Sequence, residues 1–401
     1  MKIIQINNIF PYGSTGKITL DLHNGYLERG LNSIVLYAHG DKSGDKCFKI
    51  CSKFYTKIQA LRSRISGIVY GGCILSTRKI IKIISKEKPD IVHLHCINGN
   101  FVNIFKLIKW LKNNQVNTVI TNHAEFYYTG NCAHSFECTK YLSGCGYCPM
   151  LKEDLKSWFF DRTKKSWNKM KKAFNGFSTV KVCSVSPWLF ERSKNSIILK
   201  EHENLVVFNG VDTKIFHYKE SQKVSSIKNI LHVTAHFSSS KTDLKGGIHV
   251  INLAKRLPDY TFFVVGKYDL DGEIPKNIKL LGEIKDQNQL ASLYSQANLS
   301  LLTSRRETFS MTTIESLCCG TPVVGFKAGG PESISIPKYS TFVEYANIEQ
   351  LIKAIRTFEL DGFDKREVSN EASKIYSKDK MVENYLNVYR SFENFYEGAK
   401  K

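Results

Sequence analysis

The sequence lacks an apolar run long enough to cross a bilayer. Its longest charge-free apolar stretch, Ile65 to Thr77, is shorter than the ~20 residues that a membrane-spanning helix needs. It also lacks a leader pattern, because Gln5, Asn7 and Asn8 interrupt the apolar residues of Met1–Phe10. We find no internal repeat and no low-complexity linker. These absences predict a cytoplasmic protein.

The composition is that of a soluble globular protein, with 42% hydrophobic and 23% charged residues. A chain of 401 residues is too long for one ordinary core, so we expect two domains. Disulfides are rare in the cytosol, and the eleven cysteines are therefore expected to be thiols or metal ligands.

Acidic residues are scarce in the first half of the chain. Residues 1–200 hold 31 Lys and Arg against 12 Asp and Glu, whereas residues 201–401 hold 26 against 25. This asymmetry predicts that the first half meets an anionic partner, which could be a phosphorylated substrate, nucleic acid or a lipid surface. Lys53–Lys88 and Arg162–Lys181 mix basic and apolar residues, as helices that bind anionic membrane surfaces do.

Strand-like and helix-like segments alternate along the chain, which predicts parallel α/β sheets. The predicted strands are Lys2–Ile6, Ser33–Tyr37, Asp90–His95, Val116–Thr121, Ile230–Thr234, Tyr260–Val265, Ile278–Leu281, Leu299–Leu302 and Pro322–Gly325. The predicted helices are Ile18–Arg29, Thr77–Ile84, Phe101–Lys112, Gly247–Arg256, Gln287–Ser295, Ser310–Cys319 and Lys378–Phe395.

The two series of elements predict two doubly wound, Rossmann-like domains that face each other across a cleft. We place them at 1–205 and 206–377, with a cysteine-rich insert at 129–150. A C-terminal helix in 378–401 is expected to return to the first domain. In such sheets, ligands bind at the carboxyl ends of the strands.

Ser304–Glu332 follows an apolar strand and opens a helix. Backbone N–H groups near Ser310, Met311 and Thr312 would form an anion site there, helped by the helix dipole. Glu307 and Glu315 flank this point and could accept hydrogen bonds from sugar hydroxyls. Taken alone, Thr312-x-x-Glu315 is better explained as a capping box that satisfies the first amides of the helix.

The spacing of this segment resembles the E-x7-E motif of the large retaining glycosyltransferase family four, which has the GT-B fold. The motif runs from Glu307 to Glu315 and is followed, at the family's spacing, by Gly320-Thr321-Pro322 and Gly329-Gly330-Pro331-Glu332. That family includes bacterial capsule, O-antigen and colanic-acid enzymes. The resemblance implies that Glu307 faces the donor hexose, Glu315 the ribose hydroxyls and the amides of 310–312 the diphosphate.

Further donor contacts follow from the same resemblance. Lys245-Gly246 corresponds to the family's phosphate-gripping Lys-Gly, but Ala235-His236-Phe237 stands where Gly-Arg is usual, and Lys241 could replace that Arg. The alternative is that Lys241 and Lys245 are ordinary solvated loop lysines with no role in binding. The base is expected against the strand end at Gly282 and Ile284. Asn209 completes the predicted donor residues.

In the first half, Gly13, Gly16 and Lys17 lie between a strand and a helix, where small residues let a backbone approach a phosphate. The pattern is neither G-x-G-x-x-G nor a complete Walker A motif. It resembles the family's first glycine-rich loop. His123 ends a strand, as the family's cleft histidine does, but Ala124 replaces the usual Asp. The role of that Asp carboxylate is then either vacant or taken by Glu125 on the acceptor side.

Four cysteines lie close together in the sequence of the insert. Cys132, Cys138, Cys145 and Cys148 suit a tetrahedral zinc ion, although the first spacing is looser than C-x2-C. His134 could replace one of them. We interpret the cluster as a structural group that stabilises a loop, either by binding zinc or as reduced thiols. The resemblance implies that catalysis needs no metal.

The resemblance implies a retaining hexosyltransferase of cell-surface polysaccharide biosynthesis, such as O-antigen or lipopolysaccharide. Its donor would be a nucleotide diphosphate sugar, and its acceptor a glycan or a lipid-diphosphate-linked glycan at the inner face of the cytoplasmic membrane. Another GT-B enzyme, such as a sugar-nucleotide epimerase, is the nearest alternative. A basic nucleic-acid-binding protein with a zinc knuckle fits less well, because no complete module for it is present and nucleic acid is not expected as a partner.

Overall fold

The computed structural model of the chain describes residues 1–41, 44–153, 156–220, 228–361 and 363–392, without the side chains of 359–361. The chain divides into two compact units. The first comprises Met1–Phe208 and the C-terminal residues from Met381 on, and the second comprises Asn209–Lys380. Among the residues described, no helix has both the length and the apolarity to span a bilayer.

The first unit is a seven-stranded parallel sheet with helices between its strands. In chain order its elements are β1 (Lys2–Phe10), α1 (Ser14–Glu28), β2 (Asn32–Gly40), β3 (Cys47–Lys49), α2 (Lys53–Ser66), α3 (Ile74–Glu87), β4 (Ile91–Leu94), α4 (Ile104–Asn113), β5 (Thr118–Asn122), α5 (Thr163–Phe174), β6 (Val180–Ser184), α6 (Pro187–Lys194) and β7 (Glu203–Val206). The strand order is β3-β2-β1-β4-β5-β6-β7.

The second unit repeats the architecture with six parallel strands. Its elements are β8 (Lys228–Ser238), α7 (Gly247–Arg256), β9 (Tyr260–Asp269), β10 (Ile278–Gly282), α8 (Gln287–Gln296), β11 (Leu299–Leu302), α9 (Met311–Cys318), β12 (Val323–Phe326), α10 (Gly330–Ile334), β13 (Ser340–Val343), α11 (Ile348–Asp361), α12 (Lys365–Tyr376) and the start of α13 (Lys378–Arg390). The strand order is β10-β9-β8-β11-β12-β13.

Both sheets reverse their strand order at one point, between β1 and β4 in the first unit and between β8 and β11 in the second. The order is that of a doubly wound sheet, in which ligands bind beyond the carboxyl ends of the strands at this switch point. The predicted fold class, two doubly wound parallel α/β domains, is confirmed. In each unit we therefore expect a ligand-binding site in the loops that follow these strands.

Several predicted elements have different bounds in the structure, and local contacts explain two of them. α4 begins at Ile104 and not at Phe101, because the side chain of Asn103 caps it by accepting the N–H of Lys106 at 3.0 Å. β8 continues to Ser238, well past the predicted end at Thr234. A register shift between Val233 and His236 keeps it paired with β9. The Ala235-His236-Phe237 segment therefore belongs to a strand.

The last helix returns the chain to the first unit. On α13, Tyr389 places its hydroxyl 2.9 Å from the hydroxyl of Tyr26 on α1, and both side chains are fully buried. Val382 packs against Gly25 so closely that a Cβ there would lie 2.6 Å from a Val382 methyl. The predicted helix runs to Phe395, and its residues beyond Phe392 lie outside the described part of the chain.

Candidate functional site

Two loops of the second unit leave the sheet at its switch point, 239–246 after β8 and 303–310 after β11. They are joined by hydrogen bonds. The Thr303 hydroxyl donates to the Lys245 carbonyl at 3.0 Å, and the Arg305 N–H donates to the Leu244 carbonyl at 2.8 Å. Gly246 has φ 72°, and a Cβ there would lie 2.2 Å from the Thr303 carbonyl oxygen. Glycine is required at this crossing.

Lys245 and Glu307, predicted to contact diphosphate and hexose, form an ion pair across these loops. Lys245 Nζ lies 2.6 Å from Glu307 Oε1, and the two side chains are 38% and 20% exposed. Two backbone hydrogen bonds hold Glu307 in place. Its N–H donates to the Ala328 carbonyl at 3.0 Å, and its carbonyl accepts the N–H of Gly330 at 2.8 Å. The pair is accessible to a ligand. It lies at the switch point of the sheet, where doubly wound sheets bind their ligands.

The helix that begins beside this pair is capped by Ser310. Ser310 has φ 86°, and its hydroxyl accepts the N–H of Thr313 at 3.3 Å. Met311 and Thr312 thus form the first turn of α9, whose N–H groups have no intrahelical carbonyl to bind. These amides and the helix dipole favour an anion at this end.

Glu315 does not belong to a capping box. The cap residue is Ser310, which places Thr313, and not Glu315, at the third helical position. Glu315 lies one turn further on, half-buried, and accepts a hydrogen bond from the Tyr294 hydroxyl at 3.3 Å. Glu332 is the carboxylate that caps, accepting the N–H groups of Ala328 at 3.0 Å and Gly329 at 2.8 Å. Its role is to fix the loop that pairs with Glu307.

The other predicted donor residues of the second unit lie at its loops and edge. Lys241 is exposed in loop 239–246. Gly282 ends β10 with φ 71°, and Ile284 follows it half-buried. Asn209 is buried, and its side-chain oxygen has no hydrogen-bond partner in the part of the chain that the structure describes.

Sequence reasoning missed His232, which lies on β8 beneath these loops. Its Nδ1–H donates to the Leu301 carbonyl at 2.9 Å. Burial lowers the pKa of His232 to about 4, and the positive charge of Lys245 contributes to the shift. His232 is therefore neutral at pH 7. The signal was present as a histidine between two apolar residues of the strand, Leu231 and Val233.

In the first unit, the loop between β1 and α1 carries the predicted glycines. Gly13 has φ 71° and precedes the first residue of α1. A Cβ at Gly16 would lie 2.9 Å from the Ile9 carbonyl oxygen, so glycine lets α1 approach the end of β1. Lys17 is half-buried, and its N–H donates to the Gly13 carbonyl at 2.9 Å.

His123 follows β5 and is 7% exposed. Its Nε2 lies 3.2 Å from Nδ1 of His95, which comes directly after β4. Burial lowers the pKa of His123 to about 3. The imidazole is therefore neutral at physiological pH, which suits a hydrogen-bonding group and not a proton donor.

Glu125, for which an acceptor-side role is predicted, lies in a buried network of hydrogen bonds. Glu125 is fully buried, pairs with Arg192 Nε at 2.7 Å and accepts from the Ser135 N–H at 2.5 Å and the Tyr128 hydroxyl at 3.2 Å. A buried carboxylate needs such partners to offset its lost hydration. Glu125 is a structural group that anchors the cysteine-rich insert, and Arg192 is the partner that the sequence did not reveal.

The four cysteines of the insert line one small cavity together with Gly130, Lys140 and Tyr141. Cys145 Sγ accepts the Gly130 N–H at 3.2 Å. Burial raises the pKa of Cys145 to about 12, with further contributions from Cys138 and Cys148. No three His, Cys, Asp or Glu side chains among the described residues form a group that could hold a metal ion. Zinc at this cluster stays a prediction.

The comparisons with known proteins agree with this geometry. Residues 216–375 match the family described as glycosyl transferases group 1. Over 98% of its length the chain is 22% identical to the whole of a protein named as a colanic acid biosynthesis glycosyl transferase, WcaC, from Escherichia coli (strain K12).

Two solved structures are similar over nearly the whole chain. A glycosyltransferase from Rickettsia africae superposes with a TM-score of 0.64 at 17% identity, covering 97% of this chain and 98% of that one. Anabaena Alr3699/HepE in complex with UDP-glucose superposes with a TM-score of 0.61 at 15% identity, covering 98% and 100%. These likenesses establish the GT-B fold. The chain is a glycosyltransferase, and residues 216–375 of its second unit are similar to the group 1 glycosyl transferases.

Proposed function

We propose that the chain is a retaining hexosyltransferase. It would move a sugar from a nucleotide diphosphate to a hydroxyl of a lipid-linked glycan during synthesis of a cell-surface polysaccharide. The observation that carries the proposal is the Lys245–Glu307 pair at the switch point of the second sheet, beside the first turn of α9. A cation, free amides and a carboxylate at one point match a diphosphate joined to a sugar.

In the proposed reaction the bond between the anomeric carbon and the diphosphate oxygen breaks, and negative charge develops on the departing nucleotide diphosphate. Lys245 and the amides of Met311 and Thr312 would stabilise that charge, which is usually the largest contribution to such catalysis. Glu307 would hold the sugar hydroxyls and Glu315 the ribose. The acceptor hydroxyl attacks the same face that the diphosphate leaves, and its proton passes to the departing phosphate.

The nucleotide sugar is the donor in this proposal because the fold places a ligand at the switch point and the positive charge of Lys245 matches the negative diphosphate. The similar Anabaena protein has been solved in complex with UDP-glucose. The Escherichia coli relative is named for colanic acid biosynthesis, which supports a glycan acceptor. An epimerase with this fold would convert the nucleotide sugar without an acceptor, so the acceptor requirement separates the two functions.

We further propose that the first unit docks on an anionic membrane surface, where a lipid-linked acceptor is found. On α2, four apolar side chains at helical spacing are exposed: Phe54 at 73%, Ile58 at 46%, Leu61 at 46% and Ile65 at 44%. Lys53, Lys57, Arg62 and Arg64 of the same helix are exposed as well, and α2 carries no acidic residue.

A second exposed apolar segment adjoins the C-terminal end of this helix. The Trp158 N–H donates to the Arg64 carbonyl at 2.8 Å, and Trp158, Phe159 and Phe160 are 46%, 67% and 48% exposed. The guanidinium of Arg162 lies 4.9 Å from the centre of the Phe160 ring. Apolar and aromatic side chains bordered by cations fit the headgroup region of an anionic bilayer. We call α2 and residues 158–160 the docking surface.

The experiment that tests the transfer function has two steps. A panel of nucleotide sugars is screened by thermal shift, where a ligand at one hundred times its Kd stabilises the folded protein by about 2.7 kcal/mol. The stabilising donor is then incubated with and without a lipid-linked glycan. Sugar transferred only when the acceptor is present supports the proposal, and conversion of the donor alone would instead identify an epimerase.

A further inference from the structure

The first unit carries an open groove of about 520 Å³ along α5, the helix that follows the docking surface in the chain. Five of the seven residues that line the groove are cations, and none is apolar. The cations are Arg162, Lys164, Lys165, Lys169 and Lys172. Lys165, Lys169 and Lys172 follow one another at intervals of four and three residues, so they lie on one face of the helix. The groove is therefore a concave surface of positive charge.

Neighbouring carboxylates do not neutralise this charge. The four lysines of the groove are exposed, and none of them forms an ion pair in the part of the chain that the structure describes. Asp161 is the carboxylate of the groove, and both of its oxygens are occupied. Oδ2 accepts the N–H of Cys148 at 2.7 Å, and Oδ1 accepts the N–H and the hydroxyl of Thr163 at 2.9 and 2.6 Å. The groove thus keeps an excess of positive charge that an anionic ligand can neutralise.

The groove begins at the border of the docking surface. Arg162 lines the groove, and its guanidinium lies 4.9 Å from the centre of the Phe160 ring, which belongs to the docking surface. The exposed apolar side chains of that surface fit the headgroup region of a bilayer. The groove has no apolar side chain to insert, so it would lie just outside the bilayer, at the level of the phosphates. Its ligand is then expected to be a phosphate group held at the membrane surface.

An exposed aromatic residue of the cysteine-rich insert lies at the rim of the groove. Tyr147 is 95% exposed and has φ 48°, a left-handed conformation that bulky side chains rarely adopt. Both of its neighbours contact residues of the groove. The N–H of Cys148 donates to Asp161, and a Cβ at Gly146 would lie 3.4 Å from the Cβ of Lys164. The rim therefore offers an aromatic ring, on which the apolar face of a sugar can pack.

A diphosphate that carries a sugar fits these features better than a phospholipid headgroup or a nucleic acid does. It places negative charge on adjacent phosphate groups, which suits cations concentrated in one groove, whereas phospholipid headgroups spread their charge over a flat surface. Nucleic acids are bound where aromatic side chains alternate with cations along a channel, and no aromatic residue lines this groove.

We propose that the groove along α5 binds the diphosphate of the lipid-linked acceptor, and that Tyr147 packs on the sugar attached to that diphosphate. The proposal rests on the proposed function, because it names the part of the acceptor that the first unit recognises. Binding to the groove can nevertheless be measured without any transfer of sugar. The two proposals can therefore fail independently of each other.

Isothermal titration of the full chain with farnesyl diphosphate, a short lipid diphosphate, tests the groove. Every protein in the titration carries Lys245→Met, which suppresses diphosphate binding at the donor loops. Lys165→Gln with Lys169→Gln should weaken binding about ten-fold, because charge-assisted hydrogen bonds to phosphate are lost. Lys82→Gln with Lys86→Gln removes two exposed cations of α3 and should change the affinity less than about two-fold, since salt screens distant charges. Equal losses in the two pairs would show an effect of net charge alone and overturn the proposal.

Two further probes separate the lipid, the diphosphate and the sugar. Farnesol, which has no phosphate, should not compete with farnesyl diphosphate, and competition by farnesol would overturn the assignment of the groove to an anion. Tyr147→Ser should weaken binding of hexosyl farnesyl diphosphate about three-fold and leave farnesyl diphosphate unchanged, because it removes only the aromatic ring beside the sugar. Equal effects of Tyr147→Ser on the two diphosphates would exclude packing of this residue on the sugar.

Vesicle flotation separates the acceptor from bulk lipid. If Lys165→Gln with Lys169→Gln reduced binding to anionic vesicles but kept the affinity for farnesyl diphosphate, the groove would hold ordinary headgroups and the proposal would be overturned. In a transfer assay with Lys245 intact, the same pair should raise the KM for the lipid-linked acceptor about ten-fold at an unchanged donor KM. If no nucleotide sugar supports transfer by the unsubstituted protein, the proposed function fails, while the titration still tests the groove.

Discussion

Lys245 Nζ lies 2.6 Å from Glu307 Oε1 and joins the two loops that leave the second sheet at its switch point. One residue is proposed to bind the diphosphate and the other the sugar of a single donor. In the absence of donor they neutralise each other. A diphosphate would compete for Lys245, since it carries more negative charge than a carboxylate, and Glu307 would then be released toward the sugar hydroxyls.

We predict that Glu307→Ala abolishes transfer and leaves nucleotide diphosphate affinity within about three-fold. The carboxylate acts on the sugar, where a lost transition-state interaction reduces kcat by about two to three orders of magnitude. Radiolabelled transfer and isothermal titration with the nucleoside diphosphate measure the two effects. Glu344→Ala, which removes an exposed carboxylate paired with Lys327, is the matched control. Activity within a few-fold of normal in Glu307→Ala would show that the site is assigned wrongly.

Lys245→Met should weaken nucleoside diphosphate binding about ten-fold and leave binding of the bare nucleoside unchanged. A charge-assisted hydrogen bond to phosphate contributes about 1.5–3 kcal/mol, and the lower figure corresponds to about a ten-fold change in affinity. Titration with both ligands gives the comparison, and Lys241→Met in the same loop tests whether the second lysine contributes. Equal losses for diphosphate and nucleoside would indicate a disturbed loop and not a missing phosphate contact.

The alternation of strand and helix patterns was enough to predict the fold class, because parallel strands buried on both faces are continuous apolar runs. Short elements such as β3, β7 and α10 are three to five residues long and give no periodicity to read. The continuation of β8 beyond Thr234 was unpredictable for another reason: it depends on a bulge paired with β9.

The candidate site was predicted from short local motifs, Lys245-Gly246 and the segment from Glu307 to Glu315, which carry the resemblance to the glycosyltransferase family. Glu307, Ser310 and Glu315 follow one strand, so spacing reveals them. The partners of Glu125 and His123 come from other strands and helices, 67 residues away for Arg192 and 28 for His95. A single sequence does not contain these pairings, so it did not reveal that Arg192, Ser135 and Tyr128 engage the Glu125 carboxylate.

The low pKa of His123 predicts a loss of stability in mild acid. The folded protein keeps this imidazole neutral down to pH of about 3, whereas the unfolded chain takes up a proton below about 6.5. The unfolded state therefore binds more protons as the pH falls, and this one group lowers the free energy of unfolding by about 1 kcal/mol between pH 6.5 and 5.5.

Urea unfolding of the unsubstituted protein and of His123→Gln at the two pH values measures this contribution. We expect the loss on acidification to be smaller by about 1 kcal/mol in the variant, since it lacks the titrating group. His39→Gln, at a histidine that is less buried, serves as the comparison. Equal losses in the unsubstituted protein and His123→Gln would mean that His123 titrates normally in the folded state.

The sequence spacing of the four insert cysteines predicts one equivalent of zinc in protein purified under reducing conditions with metal supplied, and binding would have to draw together thiols that the described structure does not group as ligands. Zinc thiolates would replace the protonated form that burial imposes on Cys145. Elemental analysis gives the stoichiometry, and Cys145→Ser should lower both zinc content and melting temperature, whereas Cys51→Ser, outside the insert, should change neither. Less than half an equivalent of zinc would leave the four residues as reduced thiols around a cavity.

The docking surface predicts binding to vesicles that rises with their anionic lipid content. Phe54→Ser with Ile58→Ser removes the two apolar groups at the N-terminal end of α2 and should reduce vesicle binding at least ten-fold, because each buried side chain contributes about 1.5–3 kcal/mol. Flotation on vesicles with and without anionic lipid provides the measurement. Because Phe54 is 73% and Ile58 46% exposed, the substitutions should change the melting temperature little.

A second variant separates apolar insertion from charge attraction. Lys53→Gln with Lys57→Gln keeps the apolar face of α2 and removes two cations, so it should weaken binding to anionic vesicles and make it less sensitive to salt. Neutral vesicles would show no such change. Binding that does not depend on anionic lipid, or that survives in the Phe54 and Ile58 variant, would exclude a lipid partner for this surface. Transfer to a water-soluble acceptor should stay normal in both variants, because neither changes the donor residues of the second unit.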